Sequence, residues 1–288
     1  MPATQTTSRI AFVKPTDDEI DVYGLTHPGK VRPENQDHFL IGSLRKSMRI
    51  RQSSFGEDFL ASQTERLASL AMVADGVGGS TGGEEASRLT LQAVTEYVTS
   101  STHCYYTADP TDDQAFTATL QEMAFHCHER LVGEEPPERV GRATTLTLLL
   151  GVWPRAYVLQ VGDSRYYLFR HGTLTQVSRD QTLAQDLVDA GVFKRDDRAF
   201  ARLSNVLSSA IGGVQTSPVV TAVHNDWGYV HLLCTDGLTK HVADAHIAER
   251  LRSMTSAKEA CEKLLQDALD GGGSDNITII VGRAVRRA

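Results

Sequence analysis

Residues 70–80 read Leu-Ala-Met-Val-Ala-Asp-Gly-Val-Gly-Gly-Ser, an apolar run that stops at a carboxylate and then turns through glycines. Five consecutive apolar residues predict a buried strand, and Asp75 stands at its carboxyl end. Gly76, Gly78 and Gly79 permit backbone conformations that other residues avoid, and they let the main chain approach a bound ion. Because an aspartate before a glycine is also an ordinary turn signal, this stretch alone does not define a function.

Other aspartates stand at the edges of apolar runs in the same way. They are Asp37 before residues 38–41, Asp163 after residues 158–161, Asp236 after residues 231–234 and Asp275 before residues 277–281. Carboxylates gathered from separate strand ends are the ligands that hard cations such as Mg²⁺ and Mn²⁺ prefer. The sequence therefore predicts that these four aspartates and Asp75 converge on a metal site.

The composition is that of a soluble globular protein. The chain has 288 residues, of which 41% are hydrophobic and 23% charged, so it can bury a sizeable core. Its formal net charge of −7 argues against a nucleic-acid partner. No segment is rich enough in Pro, Gly or Ser to divide the chain, which predicts one domain over residues 19–288 after a flexible lead-in at residues 1–18.

The cysteines and the first residues bear on the compartment. The four cysteines form no C-x-x-C pair and resemble neither a zinc-ligand set nor a disulfide framework. The polar start lacks the apolar core of a signal peptide, and no apolar run approaches the ~18 residues that a membrane span requires. We therefore expect a cytoplasmic protein with no membrane span.

Strands and helices are segregated along the chain. Strands are predicted at residues 21–26, 38–42, 70–74, 144–152, 156–161, 166–169, 174–177, 219–223, 229–234 and 277–281, and helices at 84–99, 112–132, 181–190, 243–252 and 257–269. This order predicts an α+β fold with two mainly antiparallel sheets and a helix pair on each outer face. Residues 43–66 are interpreted as a polar insertion and residues 178–205 as a flap with an irregular second half.

Six motifs, in order from Thr26 to Ile279, resemble the metal-dependent protein phosphatases, the type 2C serine/threonine phosphatase family, in its bacterial form. They are Gly29-x-x-Arg32-x-x-Asn35-Gln36-Asp37, Ala74-Asp75-Gly76-x-Gly78-Gly79, Ala143-Thr144-Thr145, Gly162-Asp163-Ser164-Arg165, Thr235-Asp236-Gly237 and Asp275-Asn276-Ile277-Thr278. The resemblance implies a four-layer α-β-β-α sandwich that hydrolyses phosphoserine and phosphothreonine.

The resemblance also implies roles for individual residues. Attack would come from a water bridging two Mn²⁺ or Mg²⁺ ions, with Asp37, Asp75, Asp236 and Asp275 as the catalytic acids. Asp75 would bridge the ions, the Gly76 carbonyl would bind one, Asp236 and Asp275 would hold the second, and Asp37 would act largely through bound water. Arg32 matches the phosphate-binding arginine, and its guanidinium fork suits two phosphoryl oxygens.

Three positions depart from the family pattern. Val77 stands where many eukaryotic relatives carry a histidine proposed as a general acid, although bacterial relatives often have an apolar residue there. Ala143 replaces a usual glycine. A third metal site of relatives uses the positions of Asp163 and Asp236 and, in some members, an acid at the position of Lys240. An ammonium group there would oppose a third cation, so we expect that site to be weak.

Three other functions were weighed. A signalling or binding module with an inactive phosphatase fold would have lost metal ligands, yet all five aspartates are present. A nucleotide-binding enzyme would need Gly-Lys-Ser/Thr at the helix start, and no lysine follows the glycines at residues 76–83. A phosphatase of small phosphoesters is compatible with the sequence. The expected partner is a Ser/Thr-phosphorylated protein, such as a cognate kinase or one of its targets.

Overall fold

The computed structural model describes residues 13–47, 64–78, 82–100, 112–133, 142–194 and 198–286. Its strands are β1 (Ile20–His27), β2 (Asp37–Ser47), β3 (Thr64–Val77), β4 (Ala143–Thr144), β5 (Leu146–Val152), β6 (Arg155–Val161), β7 (Arg165–Arg170), β8 (Thr173–Gln176), β9 (Val219–His224), β10 (Val230–Cys234) and β11 (Ile277–Ala284). Its α-helices are α1 (Gly82–Ser100), α2 (Asp113–Gly133), α3 (Leu183–Asp189), α4 (Arg198–Leu203), α5 (Asp236–Thr239), α6 (Asp244–Ser253) and α7 (Ala257–Asp270).

The strands form two sheets. One has five strands in the order β1-β11-β10-β7-β8, and the other has six, in the order β2-β3-β5-β6-β9 with β4 beside β3. Every pairing between these strands is antiparallel. The predicted α+β fold with two antiparallel sheets is confirmed.

Three apolar layers hold the sandwich together. Helices α1 and α2 pack on the outer face of the six-stranded sheet, and α6 and α7 pack on the outer face of the five-stranded sheet. A third cluster lies between the sheets. Strand β3 shows why its sequence is continuously apolar: Met72 and Ala74 face the helices, while Ala71 and Val73 face the other sheet. A strand covered on both faces has no side on which polar residues are favoured.

Strands β2 and β3 are longer than predicted. Residues 43–47 and 64–66, interpreted as parts of an insertion, continue the pairing of these strands as far as Ser47 with Thr64. Because β2 lies at the sheet edge, its far end is exposed and polar, which is why its sequence resembled a loop. The rest of that range, residues 48–63, lies outside the described residues, as do residues 1–12 of the predicted lead-in.

Three short helices are not predicted from the sequence. A 3-10 helix at Asp17–Glu19 lies in the predicted lead-in, and Asp17 pairs with Arg66 of β3 at 2.8 Å. Helix α4 occupies part of the flap predicted to be irregular, and α5 begins directly at Asp236. Within the described ranges no helix is long and apolar enough to cross a membrane.

Candidate active site

Strand register places the first two predicted site residues side by side. Asp37 opens β2 and pairs directly with Asp75 near the end of β3. The backbone of Asp75 is fixed by neighbouring threonines. Its N–H donates to Thr145 Oγ1 at 3.0 Å, and its carbonyl accepts from Thr144 Oγ1 and from the Thr145 N–H, each at 2.9 Å.

The remaining acids come from loops and strand ends at the same edge. Asp236 follows β10 and Asp275 precedes β11 in the five-stranded sheet, while Asp163 lies in the short connection that crosses from β6 to β7. These three acids line a cavity of about 530 Å³. Its lining includes Arg32, Asp75, Gly76, Val77, Asp163, Asn205, Leu207, Asp236, Lys240 and Asp275. Asp37 is buried beside Asp75, so the structure brings all the predicted site residues to one place.

Asp37 is held by two buried hydroxyl groups. Thr235 Oγ1 and Thr278 Oγ1 each donate to Asp37 Oδ2 at 2.8 Å. Its other oxygen, Oδ1, is buried and has no hydrogen-bond partner among the described residues. Burial raises the pKa of Asp37 to about 7, although the two hydroxyls oppose the shift. An oxygen left without a partner in the interior is a free ligand position.

Burial and mutual repulsion disfavour the charged forms of the neighbouring acids. Burial, and then the charge of Asp37, raise the pKa of Asp75 well above its ordinary value. Burial and the charge of Asp236 raise the pKa of Asp163 to about 8. Burial also raises the pKa of Asp236 despite the opposing charge of Lys240. A positive charge placed among these groups would favour their ionisation.

Two side chains of the protein supply positive charge at one side of the cavity. Lys240 Nζ lies 2.6 Å from Asp236 Oδ2 and 2.7 Å from Asp275 Oδ2. Arg32 binds Asp275 through both carboxylate oxygens, with Nε–Oδ1 at 2.8 Å and Nη2–Oδ2 at 3.0 Å. Burial acts to raise the pKa of Asp275, but the hydrogen bonds from Lys240 and Arg32 outweigh it and hold the pKa below its usual value.

The carboxylate oxygens of the cavity suit a hard divalent ion, but the described side chains do not form a ready coordination shell. Oxygen ligands dominate the cavity, and two buried carboxylate oxygens, Asp37 Oδ1 and Asp236 Oδ1, have no partner among the described residues. Within the described ranges no group of three or more His, Cys, Asp or Glu side chains is arranged to hold a metal ion. Asp236 and Asp275, which the resemblance assigns to a second ion, are instead paired with Lys240 and Arg32.

The loop that carries Arg32 is fixed by Asn276. The Asn276 Nδ2 group donates to the Pro28 and Glu34 carbonyls at 3.0 and 2.9 Å, and its Oδ1 accepts from the Gln36 N–H at 2.9 Å. The packing needs glycine nearby, because a Cβ on Gly237 would lie 1.9 Å from the Asn276 carbonyl oxygen.

Thr235, Asn276 and Thr278 lie in the motifs that carry Asp236 and Asp275, but no role is predicted for them from the sequence. The available sequence signal is that each of these polar residues lies within three positions of Asp236 or Asp275.

Comparison with known proteins identifies the family. The profile of protein phosphatase 2C matches residues 45–271. The chain belongs to this family. A curated serine/threonine protein phosphatase, PstP from Mycobacterium tuberculosis, is 33% identical over 223 residues, covering 76% of this chain and 41% of the relative. The chain therefore spans about two fifths of that protein's length.

Two further comparisons agree with this assignment. The serine/threonine phosphatase stp of Listeria innocua is 29% identical over 213 residues, which is 74% of this chain and 83% of the relative. A solved structure of the catalytic domain of PstP in complex with 2 manganese ions matches with a TM-score of 0.70 and 29% identity, and covers 93% of this chain and 99% of that chain.

Two departures from the protein phosphatase 2C pattern can be located in the structure. Val77 is 38% exposed and lines the cavity, so an apolar side chain occupies the position of the histidine of many relatives. It pairs across the strands with Ala143, so both residues lie in the short β3–β4 pairing. The cavity lining among the described residues contains no Ser, Thr, Tyr, Cys or His, so no hydroxyl, thiol or imidazole side chain is available there as a nucleophile.

Proposed function

We propose that this chain is a metal-dependent phosphoprotein phosphatase that hydrolyses phosphoserine and phosphothreonine. One observation carries the proposal: acids from both sheets meet in one cavity with Arg32 at its side, and their burial and mutual repulsion call for cations. Two of their buried oxygens lack partners among the described residues. An inactive module of the same fold would have no need to retain this arrangement.

The proposed reaction is the attack of water on phosphorus. Two Mn²⁺ or Mg²⁺ ions held by these acids would lower the pKa of a water between them and neutralise phosphoryl oxygens. Asp75 and the Gly76 carbonyl would hold one ion, and Asp75, Asp236 and Asp275 the second. Asp37 would act largely through bound water, and Asp163 would belong to a weaker third position.

Arg32 is the residue we assign to the substrate. Its side chain is 56% exposed and ends on Asp275, beside the cavity. The guanidinium group can leave Asp275 for a phosphate with little loss, because both partners are anionic and planar recognition by two N–H groups suits either. In this role Arg32 would orient the phosphoryl group against the attacking water. Val77 cannot donate a proton, so it takes no part in protonating the leaving group.

The substrate class rests on the relatives and on the flap. The relatives are named as serine/threonine protein phosphatases, and Asn205 and Leu207, at and just beyond the end of the flap, line the cavity. We infer that the flap contacts the peptide around the phosphorylated residue. The cognate kinase as a partner and the cytoplasmic location stay predictions.

The proposal is tested by measuring hydrolysis of p-nitrophenyl phosphate and of a phosphothreonine peptide with and without Mn²⁺. We expect activity that requires Mn²⁺ and is lost in Asp236→Asn. Asp270→Asn, which removes an exposed carboxylate at the end of α7, is the matched control and should retain full activity. Wild-type activity that survives a strong chelator would contradict the mechanism.

A second experiment separates a protein substrate from a small phosphoester. Shortening the flap at residues 190–198 should change the preference among phosphopeptides more than it changes turnover of p-nitrophenyl phosphate. An equal effect on both substrates would remove the argument for peptide contact and would favour a phosphatase of small molecules.

A further inference from the structure

Lys240 lies where two acids of the proposed second-ion position meet. It follows Asp236 by one helical turn, since α5 begins at Asp236 and residues four apart on a helix are neighbours. Its ammonium group contacts Asp236 Oδ2 at 2.6 Å and Asp275 Oδ2 at 2.7 Å. From the sequence, this lysine is expected to oppose a third ion. In the structure it contacts Asp236 and Asp275, both of which the resemblance assigns to the second ion.

The geometry points to Lys240 as a built-in cation that competes with the second divalent ion for Asp236 and Asp275 and makes its binding weak. This inference rests on the proposed function. A divalent ion held by these two acids would bind their oxygens at about 2.0–2.6 Å. Even if it used the unpartnered Asp236 Oδ1, it would lie within a few ångström of the ammonium group. The ammonium group and the ion cannot share these oxygens without strong repulsion, so the lysine must move before the ion binds.

Arg32 does not have the same effect. It contacts only Asp275 of the two acids, and its side chain is 56% exposed, so it can turn away at low cost. Lys240 contacts both acids, and its side chain is only 28% exposed. The competition is therefore a property of Lys240.

The first ion position is free of such competition. Among the described residues no Lys or Arg forms an ion pair with Asp37 or Asp75. The two partners of Asp37 are neutral hydroxyl groups. The two ions should therefore bind with clearly different affinities, the tighter one near Asp75 and Gly76 and the weaker one at Asp236 and Asp275.

The test is a Mn²⁺ titration of the full chain by calorimetry, with bound Mn²⁺ followed in parallel by electron paramagnetic resonance. Wild type should show one tight and one weak site, with binding at the third position weaker than at both. Lys240→Met should tighten the weak site by about tenfold or more, because it removes the competing charge, and leave the tight site within about twofold. Lys240→Gln is the second neutral variant, in case the methionine protein fails to fold.

Two controls separate local competition from net charge. Lys240→Arg keeps a positive charge beside the acids and should leave the second site weak. Lys258→Met removes one charge from the exposed surface of α7, beside Glu262, and should leave both affinities unchanged. In chelator, Lys240→Met should melt at a lower temperature than wild type, and it should gain more from Mn²⁺, because two acids have lost a cation partner.

The outcomes distinguish the inference from the proposed function. Equal Mn²⁺ affinities in wild type, Lys240→Met and Lys240→Gln, with activity that still requires Mn²⁺, would overturn the inference and leave the phosphatase proposal standing. Tightening of both sites, or the same gain in Lys258→Met, would also overturn it. Absence of Mn²⁺ binding in every variant would overturn both.

Discussion

The two ends of the sandwich enclose different cavities. At one end, a cavity of about 530 Å³ is lined by carboxylates from both sheets. At the other, a cavity of about 390 Å³ is mainly apolar and includes His231. That histidine is buried, but both ring nitrogens have partners: Tyr166 Oη lies 2.7 Å from Nδ1, and Asn225 Oδ1 lies 3.0 Å from Nε2.

The two ends differ in how far their buried polar groups are hydrogen-bonded. His231 stays neutral and is hydrogen-bonded on both sides, so its burial costs little. Asp37 and Asp236 each leave one buried oxygen without a partner among the described residues. Burial and mutual repulsion of these acids also lower the stability of the metal-free protein near neutral pH, and this is the expected signature of a site prepared for a ligand.

The largest expected effect is that of Asp75→Asn, at the carboxylate end. Phosphatase activity with Mn²⁺ should fall by about 10³-fold, because the acid assigned to both ions is lost. At the same time the metal-free protein should melt at a higher temperature at alkaline pH, because one of several repelling carboxylates has become neutral. Turnover of p-nitrophenyl phosphate and thermal unfolding in chelator measure the two effects. A loss of both activity and metal-free stability would show that Asp75 is structural.

The two ends should respond to pH in opposite directions in chelator. Burial lowers the pKa of His231 to about 4, so the unfolded chain binds more protons below about pH 6.5, and the unfolding free energy falls as the pH drops. The full loss is on the order of 3 kcal/mol. At the carboxylate end burial raises the pKa of Asp37 to about 7 and that of Asp163 to about 8. There the folded chain binds more protons, and stability falls as the pH rises towards those values.

Urea unfolding from about pH 4 to pH 8 measures both effects, which overlap below about pH 6.5 because aspartates in the unfolded chain ionise near their ordinary pKa of about 3.9. His231→Gln should make the slope of stability against pH more negative between about pH 4 and 6.5 and leave it unchanged at higher pH, whereas Asp163→Asn should make the slope less negative up to about pH 8. A change of slope above about pH 7 in His231→Gln would show that the two ends are not independent.

Removing one buried hydroxyl at the carboxylate end should have a smaller effect than Asp75→Asn, and it should change both stability and Mn²⁺ binding. Thr235→Val deletes the donor to Asp37 Oδ2 and the acceptor of the Thr278 N–H, which lies 3.0 Å away. We expect a loss of about 2 kcal/mol in the free energy of unfolding. The pKa of Asp37 should also rise, so Mn²⁺ binding near neutral pH should weaken. Unchanged Mn²⁺ affinity in calorimetry would mean that the hydroxyl does not prepare the site.

The matching change at the other end should have the smallest effect. Tyr166→Phe removes the hydroxyl that contacts His231 and should cost about 1 kcal/mol in urea unfolding. Mn²⁺ affinity and activity should stay at the wild-type level. A change in either would mean that the apolar end communicates with the acids, and the contrast between the ends would need revision.

The positions of the acids could be predicted from sequence because each has a local signal. An apolar run marks the strand, and a turn residue beside Asp75 or Asp236 marks the strand end. The hydroxyls that hold Asp37 lack such a signal. Thr235 and Thr278 come together only because β10 pairs with β11, and that pairing depends on contacts between distant parts of the chain.

Lys240 and the edge strand show two other limits. A helix as short as α5 gives no periodicity to recognise, so the turn that brings Lys240 back to Asp236 was not predicted. The outer half of β2 is polar because it faces solvent, and polarity alone favours a loop over a strand. Tertiary pairing with β3 decides its structure.

The acids of the cavity belong to both sheets, and this has a consequence for the rigidity of the sandwich. The two sheets contact each other directly through apolar side chains such as Val73 and Ile280. Ions bound by both Asp75, on one sheet, and Asp236, beside the other, would link the two sheets. Binding of divalent ions would then make it harder for one sheet to slide over the other, and amide exchange in β3 and β11 would slow as the ions bind.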